Sequence, residues 1–544
     1  MKNITSTFLF LFVALQLMAQ QKPFVSQVWC ADNGNGTYTN PIIHADYSDP
    51  DAIRVGNDYY MTASSFNSSP GLPILHSKDL VNWQIISYAL PKQIPIDTFN
   101  KPQHGKGVWA PAIRYHNNEF YIFYPDPDFG IYMIKTKNIY GSWTVPKLVL
   151  AGKGIIDPCP YWDTDGKAYL ITAWAGSRAG VKSLLTLYKM NNDATAVTDD
   201  GKHVFDGHDN HETVEGPKLY KRNGYYYIFA PAGGVGTGWQ LVLRSKNIYG
   251  PYEEKIVMDK GTTNINGPHQ GAWVDTKTGE DWFIHFQDKD AYGRVVHLQP
   301  MLWKNNWPVI GVDNDGDGKG EPVITFKKPN VGISYSKACV FDTDEFNTDT
   351  LGLQWQWNAN YQTQWSALMR GKNYLRLFAI NQPKDAANFA NTPNLLLQKF
   401  PAPNFTATTK LNFNCGNNGC DSKKAGLIVY GEDYAYISIA KKDCGYVLQL
   451  NTCTDMLKNS KEKMIEQHLL TSAIVYCKVN VTAPNAMCQF SFSEDGAHFT
   501  NIGLPFKAKA GKWVGAKLGL FCSADYGSKV GGFVDVDWFR LSKH

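Results

Sequence analysis

The sequence predicts an all-β protein, a five-bladed β-propeller followed by a β-sandwich. Three observations lead to this fold class: the composition, a motif that occurs five times, and a change of pattern near residue 330. Aromatic residues make up 13% of the 544 residues, and 47 glycines and 28 prolines accompany them. Long charged helical stretches are missing, so the balance favours many short strands joined by turns.

The repeated motif consists of a polar or Gly-Pro turn, a strand, a Gly/Asn turn and an aromatic-rich strand. Its aligned aromatic residues are 48 to 61 residues apart and are Tyr60, Tyr121, Tyr169, Tyr227 and Phe283. Such a period is typical of propeller blades, because one four-stranded sheet buries both faces only by packing on its neighbours. We therefore predict a propeller over residues 36–325, with an elongated array of similar β units as the alternative.

The repeat stops near residue 330. Alternating segments, such as residues 425–430 and 533–541, then follow at intervals with turn residues between them. This spacing predicts a β-sandwich over residues 333–544. Seven of the ten cysteines lie in its last 130 residues, where we expect small buried side chains with one or two disulfide bonds.

Residues 1–19 have the pattern of a secretory signal peptide, with a basic start, an apolar run and a small residue at the end. No later stretch reaches the ~18 consecutive apolar residues that a membrane span needs. We therefore expect an exported protein, periplasmic or secreted, without a membrane span. The net charge is only +4 and no long run of like charges occurs, so nucleic acid is not an expected partner.

Three acidic residues occupy matching places in the repeat. Asp49 and Asp157 directly precede the aligned proline of their units, and Glu215 lies two residues before its own. The inner strand of each blade starts near the axis, so we expect these carboxyls to converge on one mouth of the propeller. Like-charge repulsion predicts that at least one keeps its proton near neutral pH. A protonated carboxyl beside an ionised one suits hydrolysis of a glycosidic bond, although Asp-Pro alone is also a common turn opening.

At these residues the sequence resembles glycoside hydrolase family 43. The matching stretches are residues 47–51, 71–83, 109–114, 156–158, 215–217 and 293–300, and residues 352–358 and 431–436 resemble the appended sandwich domain of the β-xylosidase and α-L-arabinofuranosidase members. The resemblance implies a concanavalin A-like sandwich and hydrolysis with inversion at the anomeric carbon. It assigns Asp49 as general base, Glu215 as general acid, and Asp157 as the residue that tunes and orients the acid.

Further side chains complete the expected site. The resemblance implies that Arg294 contacts sugar hydroxyls, although an ordinary ion pair is the alternative. Trp109 and Phe66 are candidate stacking walls or core residues, with Trp109 favoured for the site. The resemblance also implies that His269 lies on the propeller axis, touching a calcium ion or an ordered water. Calcium prefers oxygen ligands, so a lone histidine does not define a metal site, and no cofactor is otherwise expected.

The family's tailed members release single terminal sugars, α-L-arabinofuranose or β-D-xylose, from plant hemicelluloses. We predict an exo-acting α-L-arabinofuranosidase, because small polar residues in 64–72 leave room for a branched aglycone. A β-D-xylosidase, or dual activity, is the alternative, and a carbohydrate-binding propeller without catalysis is a third hypothesis. The sandwich either binds polysaccharide or lends a side chain to the pocket wall, and the oligomeric state is left open.

Overall fold

The computed structural model describes residues 23–384, 386–417, 419–443, 445–529 and 531–544. The predicted signal peptide, residues 1–19, lies outside these ranges. Within them the chain forms five four-stranded antiparallel sheets followed by two larger sheets. The predicted fold class, a five-bladed propeller followed by a β-sandwich, is therefore confirmed. In the same ranges, the helices found are all too short or too polar to cross a membrane.

The four strands of each blade follow one another in the chain. Around the axis the first strands of blades 1 and 2, 2 and 3, 3 and 4, and 5 and 1 contact each other, and the second strand of blade 4 contacts the first strand of blade 5. β1 (Thr37–Thr39) precedes the blades. Blade 1 comprises β2 (Asp51–Val55), β3 (Asp58–Thr62), β4 (Gly71–Ser77) and β5 (Trp83–Leu90). Blade 2 comprises β6 (Ala112–His116), β7 (Glu119–Asp126), β8 (Gly130–Thr136) and β9 (Lys147–Ala151). Blade 3 comprises β10 (Ile155–Trp162), β11 (Ala168–Trp174), β12 (Leu184–Met190) and β13 (Lys202–Asp206).

The last two blades follow the same order. Blade 4 comprises β14 (Lys218–Arg222), β15 (Tyr225–Ala232), β16 (Trp239–Ser245) and β17 (Glu253–Met258). Blade 5 comprises β18 (His269–Asp275), β19 (Asp281–Asp288), β20 (Arg294–Lys304) and β21 (Trp307–Ile310). β22 (Thr325–Lys327) then pairs with β1. The aligned aromatic residues of the repeat all fall on the second strand of their blade.

Apolar contacts between blades close the ring. Ala52 and Met61 of blade 1 share one buried cluster with Val274 and Ile284 of blade 5. Corresponding clusters join blade 1 to 2, 2 to 3, 3 to 4 and 4 to 5. In an elongated array the first and fifth units would not touch, so the contact between blades 1 and 5 excludes that alternative.

The sandwich consists of two facing sheets with an apolar core between them. The first sheet runs in the order β23 (Gln356–Trp357), β27 (Leu396–Lys399), β36 (Lys517–Ala524), β29 (Lys423–Tyr430), β30 (Tyr434–Lys442), β31 (Gly445–Cys453) and β32 (Lys463–Leu470), with β26 (Ile380–Asn381) beside β36. The second runs β24 (Ser366–Leu368), β25 (Leu375–Phe378), β37 (Phe533–Ser542), β28 (Phe405–Asn414), β33 (Ile474–Thr482), β34 (Met487–Ser493) and β35 (Thr500–Lys507). In β33 every second side chain is buried, as expected when one strand face covers a core.

Helical segments are short. They are α1 (Ile96–Phe99), α2 (Gly176–Ala179) and the 3₁₀ turns Asp290–Tyr292, Thr363–Trp365, Phe389–Asn391, Cys420–Ser422 and Met456–Lys458. One disulfide bond, Cys415–Cys420, lies in the sandwich, and the other described cysteines are free thiols.

The sandwich packs directly against the propeller. Tyr292, on the turn before β20, inserts its ring into the sandwich core, and its hydroxyl donates a hydrogen bond to the Pro403 carbonyl (2.8 Å). Asn360 pairs with the backbone of Gln93 through two further hydrogen bonds across the seam. These contacts dock the sandwich on the propeller.

Candidate active site

One pocket of about 420 Å³ brings together the predicted carboxyl and sugar-contact residues. It opens at the mouth of the propeller where the inner strands begin. The pocket is lined by Asp49, Phe66, Trp109, Asp157, Glu215 and Arg294, together with Trp513 of the sandwich and other residues. His269 lies outside the lining, directly behind Glu215. The repeat alignment therefore placed three acids from three blades correctly around one mouth.

Asp49 and Asp157 have the same unusual backbone conformation. Asp49 lies just before β2 and Asp157 lies within β10, and their φ angles are +55° and +54°. Residues other than glycine rarely adopt this left-handed conformation, and it costs of order 1–3 kcal/mol where the surroundings hold it. Both residues adopt this conformation directly before a proline, and both carboxyls line the pocket.

Both oxygens of Asp49 accept hydrogen bonds. The Ser48 hydroxyl (2.7 Å) and the Ser64 hydroxyl both donate to Oδ2. The Arg294 guanidinium donates from Nη1 to Oδ1 (3.3 Å) and also to the Ser48 hydroxyl (2.8 Å). Asp49 is only 6% exposed, so these donors fix its orientation at the pocket wall.

Asp157 and Glu215 form the second half of the site. The Gly216 N–H (2.7 Å) and the Gln270 side-chain amide (3.0 Å) both donate to Asp157 Oδ2. Burial, and then the neighbouring Glu215 carboxylate, raise the pKa of Asp157 to about 7. The Asp157 carboxyl therefore keeps its proton up to near neutral pH, beside the Glu215 carboxyl.

His269 makes a contact that the sequence did not indicate. Its Nε2 lies 2.7 Å from Glu215 Oε1, while the Glu215 side chain remains partly exposed to the pocket. His269 itself is completely buried, and its Nδ1 has no partner among the described residues. The imidazole therefore orients the Glu215 carboxyl from behind.

Among the described residues, the side chains around His269 do not form a calcium cage. Calcium takes six to eight oxygen ligands, whereas the side chain nearest to His269 is the Glu215 carboxyl already described. In the described part of the chain, the one group of at least three clustered acidic or metal-ligating side chains lies elsewhere, at Asp313, Asp315 and Asp317. An ordered water suits the unpartnered Nδ1 better, and calcium at this position stays a prediction.

Aromatic residues from both domains form the remaining walls. Phe66 is held by paired backbone hydrogen bonds with Val108, and its ring centroid lies 6.4 Å from that of Trp109. Trp109 donates from Nε1 to the Gly105 carbonyl (3.0 Å), which fixes its indole plane. Trp513 lies edge-on to Trp109 with ring centroids 6.3 Å apart, and 5.7 Å from the Arg294 guanidinium.

Sequence reasoning did not identify Trp513. It lies in the loop before β36 of the sandwich, more than 400 positions after Trp109, and no repeat relates the two. The sequence left open whether the sandwich lends a side chain to the pocket wall, and Trp513 is such a side chain. Residues 64–72 were expected near the pocket, but the hydrogen bond from Ser64 to Asp49 was not predicted. Gln270 was also missed, because hydroxyl and amide side chains are common in any turn.

Comparison with known proteins gives the family. The model of "Glycosyl hydrolases family 43" matches residues 38–308, and that of the "Beta xylosidase C-terminal Concanavalin A-like domain" matches residues 343–542. The chain belongs to glycoside hydrolase family 43. The predicted family, the concanavalin A-like sandwich and the glycosidase activity are therefore confirmed, and a purely sugar-binding propeller is no longer a candidate.

Several members of the family resemble this chain over most of its length. A Xylanibacter ruminicola protein that is provisionally named a β-xylosidase is 39% identical, and the alignment covers 90% of this chain and 86% of that protein. A β-xylosidase of Formosa agariphila is 32% identical, and the alignment covers 93% of this chain and 90% of that protein. A non-reducing end α-L-arabinofuranosidase of Bacteroides ovatus is 28% identical, and the alignment covers 92% of this chain and 94% of that protein. The crystal structure of a family 43 protein from Bacillus licheniformis superposes with a TM-score of 0.79 at 26% identity, covering 93% of this chain and 100% of that one.

Proposed function

We propose that this family 43 glycosidase is an exo-acting, inverting enzyme that releases single terminal pentosyl residues from plant hemicellulose. One observation carries the proposal: three carboxyls and Arg294 surround a pocket that Trp513 of the sandwich walls on one side. Such a pocket suits the end of a sugar chain better than its middle, because a continuous chain needs a cleft that is open at both ends.

The proposed roles follow from the contacts of each carboxyl. Asp49 takes a proton from a water molecule whose oxygen attacks the anomeric carbon. In the same step the bond from that carbon to the leaving oxygen breaks, and Glu215 gives its proton to the leaving oxygen. One displacement of this kind inverts the anomeric centre. Asp157 is proposed to tune and orient the acid, because it accepts the Gly216 N–H next to Glu215 and keeps its own proton up to near neutral pH.

Arg294 is proposed to bind the terminal sugar. Its guanidinium packs over the Phe286 ring (4.8 Å) and donates to Asp49 and Ser48, so its plane is fixed before substrate arrives. A planar fork of donors suits two adjacent hydroxyls of a sugar. Trp109 and Phe66 supply apolar surface for the faces of the bound sugars.

Two pentoses are candidates. The sequence favours α-L-arabinofuranose, because small polar residues around Ser64 leave room for a branched aglycone. The names of the relatives that are 39% and 32% identical favour β-D-xylose, while the 28% identical relative is named an arabinofuranosidase. One pocket can accept both sugars, since their hydroxyls have similar geometry.

The proposal includes the compartment and the metal requirement. Export to the periplasm or the medium follows from the signal-peptide pattern of residues 1–19 and is tested by amino-terminal sequencing of the mature protein from fractionated cells. A structural calcium ion at His269 is tested by dialysis against EDTA. We expect the treated enzyme to retain its kcat/KM, and a loss that calcium restores in the wild type but not in His269→Ala would support a metal there.

The proposed function is tested with paired aryl glycosides. Initial rates are measured on an α-L-arabinofuranoside and a β-D-xyloside, for the wild type and for Glu215→Ala and Asp49→Ala. Turnover of the arabinoside that both substitutions abolish supports the prediction from the sequence. Turnover of the xyloside alone retains the mechanism and changes the sugar, whereas a wild type inactive on both would contradict release of a terminal pentose.

A further inference from the structure

Asp46 lies at the seam between propeller and sandwich, three residues before Asp49. Its carboxylate is buried, with 5% of the residue exposed. Oδ1 accepts a hydrogen bond from the backbone N–H of Arg294 (2.9 Å), and Oδ2 accepts one from the backbone N–H of Gly515 (2.9 Å). One side chain therefore joins the start of β20 to the sandwich loop that carries Trp513.

Two glycines allow these segments to approach. A Cβ on Gly293, whose φ is +74°, would lie 2.5 Å from Asp46 Cγ, and a Cβ on Gly515 would lie 2.7 Å from the Gly293 nitrogen. The Ala516 N–H donates to the Ala291 carbonyl (2.8 Å) in the same junction. A side chain at either glycine would push the loop away from β20, so this close approach requires glycine.

The carboxylate also balances buried positive charge. Burial and the charge of Lys399 lower the pKa of Lys517 to about 7, and the charge of Asp46 opposes this shift. The Lys517 ammonium donates to the Ser68 hydroxyl (2.7 Å), on the segment that carries Phe66. Asp46 is thus the acidic partner of a buried cluster at the domain seam.

We propose that Asp46 is a positioning residue that holds Trp513 of the sandwich in register with Arg294 and, through Arg294, with Asp49. The path consists of direct contacts. Asp46 accepts a hydrogen bond from the backbone N–H of Arg294, and the Arg294 guanidinium donates one to Asp49. Asp46 also accepts a hydrogen bond from the backbone N–H of Gly515, two residues after Trp513. The sandwich thereby becomes part of the sugar pocket. The proposal rests on the proposed sugar-binding role of Arg294 and the wall formed by Trp513.

A double-mutant cycle tests this coupling. We expect Asp46→Asn to lower kcat/KM on the better aryl pentoside at least tenfold, chiefly through KM, because the pocket walls bind the sugar in ground and transition states alike. In the Trp513→Ala background Asp46→Asn should lower kcat/KM by a clearly smaller factor, because part of its effect comes from displacement of the Trp513 indole. Asn360→Ala removes two hydrogen bonds elsewhere on the same seam and should leave both constants within about twofold.

Gly515→Ala is the second variant, used if Asp46→Asn does not fold. It keeps the Asp46 charge beside Lys399 and Lys517 and displaces only the loop, so we expect the same rise in KM and the same coupling to Trp513. Equal fold-losses with and without Trp513 in a folded variant, or a KM within twofold of wild type, would overturn the proposal. Inactivity of the wild type on both aryl pentosides would instead contradict the proposed function, which keeps the two failures distinct.

Discussion

The indole ring of Trp513 lies edge-on to that of Trp109, with their centroids 6.3 Å apart, although the two residues belong to different domains. Trp109 enters from blade 2, and Trp513 enters from the loop before β36 of the sandwich. Trp513 is 43% exposed and lines the pocket. The pocket wall is therefore assembled only when the sandwich is docked on the propeller.

Replacing Trp513 should weaken binding of terminal sugars. We expect Trp513→Ala to raise KM for aryl pentosides about tenfold, because an aromatic surface that would pack against the bound sugar is lost from the pocket. It should also allow slow cleavage of internal bonds in a polymer, since one end of the pocket opens. Rates on aryl pentosides and the size distribution of products from xylan or arabinoxylan check this.

Tyr526→Ala is the matched control for this prediction. Tyr526 is an aromatic residue of the sandwich, 62% exposed and outside the pocket lining. Its removal should leave KM and the product sizes unchanged. An unchanged KM in Trp513→Ala would contradict the assignment of that residue to the sugar pocket.

Leaving groups separate the proposed acid from the proposed base. Glu215→Gln cannot protonate the leaving oxygen, so kcat/KM should fall about 10³-fold on a natural disaccharide but much less on a dinitrophenyl glycoside, which leaves without a proton. Asp49→Asn should reduce both rates similarly, because water still needs a base. Asp317→Asn, an exposed acid outside the pocket, is the control. A Glu215 variant with equal losses on both substrates would contradict its role as acid.

The pH profile tests Asp157. Its pKa of about 7 means that Asp157 becomes charged near neutrality, beside the Glu215 carboxyl. We expect the alkaline limb of kcat/KM to move down by about one pH unit in Asp157→Asn, because the neighbouring charge that retains the proton is gone. A profile with an unmoved alkaline limb would exclude electrostatic tuning by this residue.

The same substitution has a predicted effect on stability. Because folding raises the pKa of Asp157 from 3.8 to about 7, its stabilising contribution is complete below pH 3.8 and is lost as the pH rises through 7. The Tm of Asp157→Asn relative to wild type should therefore increase between pH 4 and pH 8. Differential scanning fluorimetry at several pH values measures this difference, and a difference that stays constant would contradict the shift.

A buried histidine at the domain seam predicts sensitivity to acid. The His44 ring lies between Trp29 and Tyr292, and neither of its nitrogens has a partner among the described residues. Burial lowers the pKa of His44 to about 3. The unfolded chain therefore takes up a proton first as the pH falls below 6.5, and stability drops by about 1.4 kcal/mol per pH unit from there toward pH 3.

His44→Phe checks this prediction. The phenyl ring keeps the aromatic packing and cannot be protonated, so the loss of Tm between pH 6.5 and pH 5 should be smaller than in the wild type. His498→Phe, at a fully exposed histidine side chain, should follow the wild type. An identical acid response in all three proteins would show that His44 is not the group that titrates.

The sequence predicted the parts of the site that the repeat controls. Asp49, Asp157 and Glu215 occupy equivalent places in three blades, so their alignment along the chain became proximity in space once the ring closed. Ring closure itself followed from five similar units that can bury their faces only against one another. The fold and the three acids therefore depended on local pattern and simple geometry.

Contacts that depend on docking could not be predicted in this way. Trp513 and Gly515 reach the pocket only because Tyr292 anchors the sandwich, and nothing in the sequence relates these positions. The 2.7 Å contact between His269 and Glu215 depends on the distance between neighbouring blades and on side-chain rotamers. Neither the position of the Trp513 loop nor the contact between His269 and Glu215 could be predicted, because both depend on long-range packing and not on a repeated motif.

In the proposed mechanism Asp49 activates a water molecule while Glu215 protonates the leaving oxygen, in a single displacement. Proton NMR of the first-formed sugar tests it most directly, recorded within seconds of adding enzyme to an aryl pentoside and before mutarotation. We predict β-L-arabinose from the α-L-arabinofuranoside, or α-D-xylose from the β-D-xyloside. Appearance of the same anomer as in the substrate would show a double displacement and would contradict the roles assigned to Asp49 and Glu215.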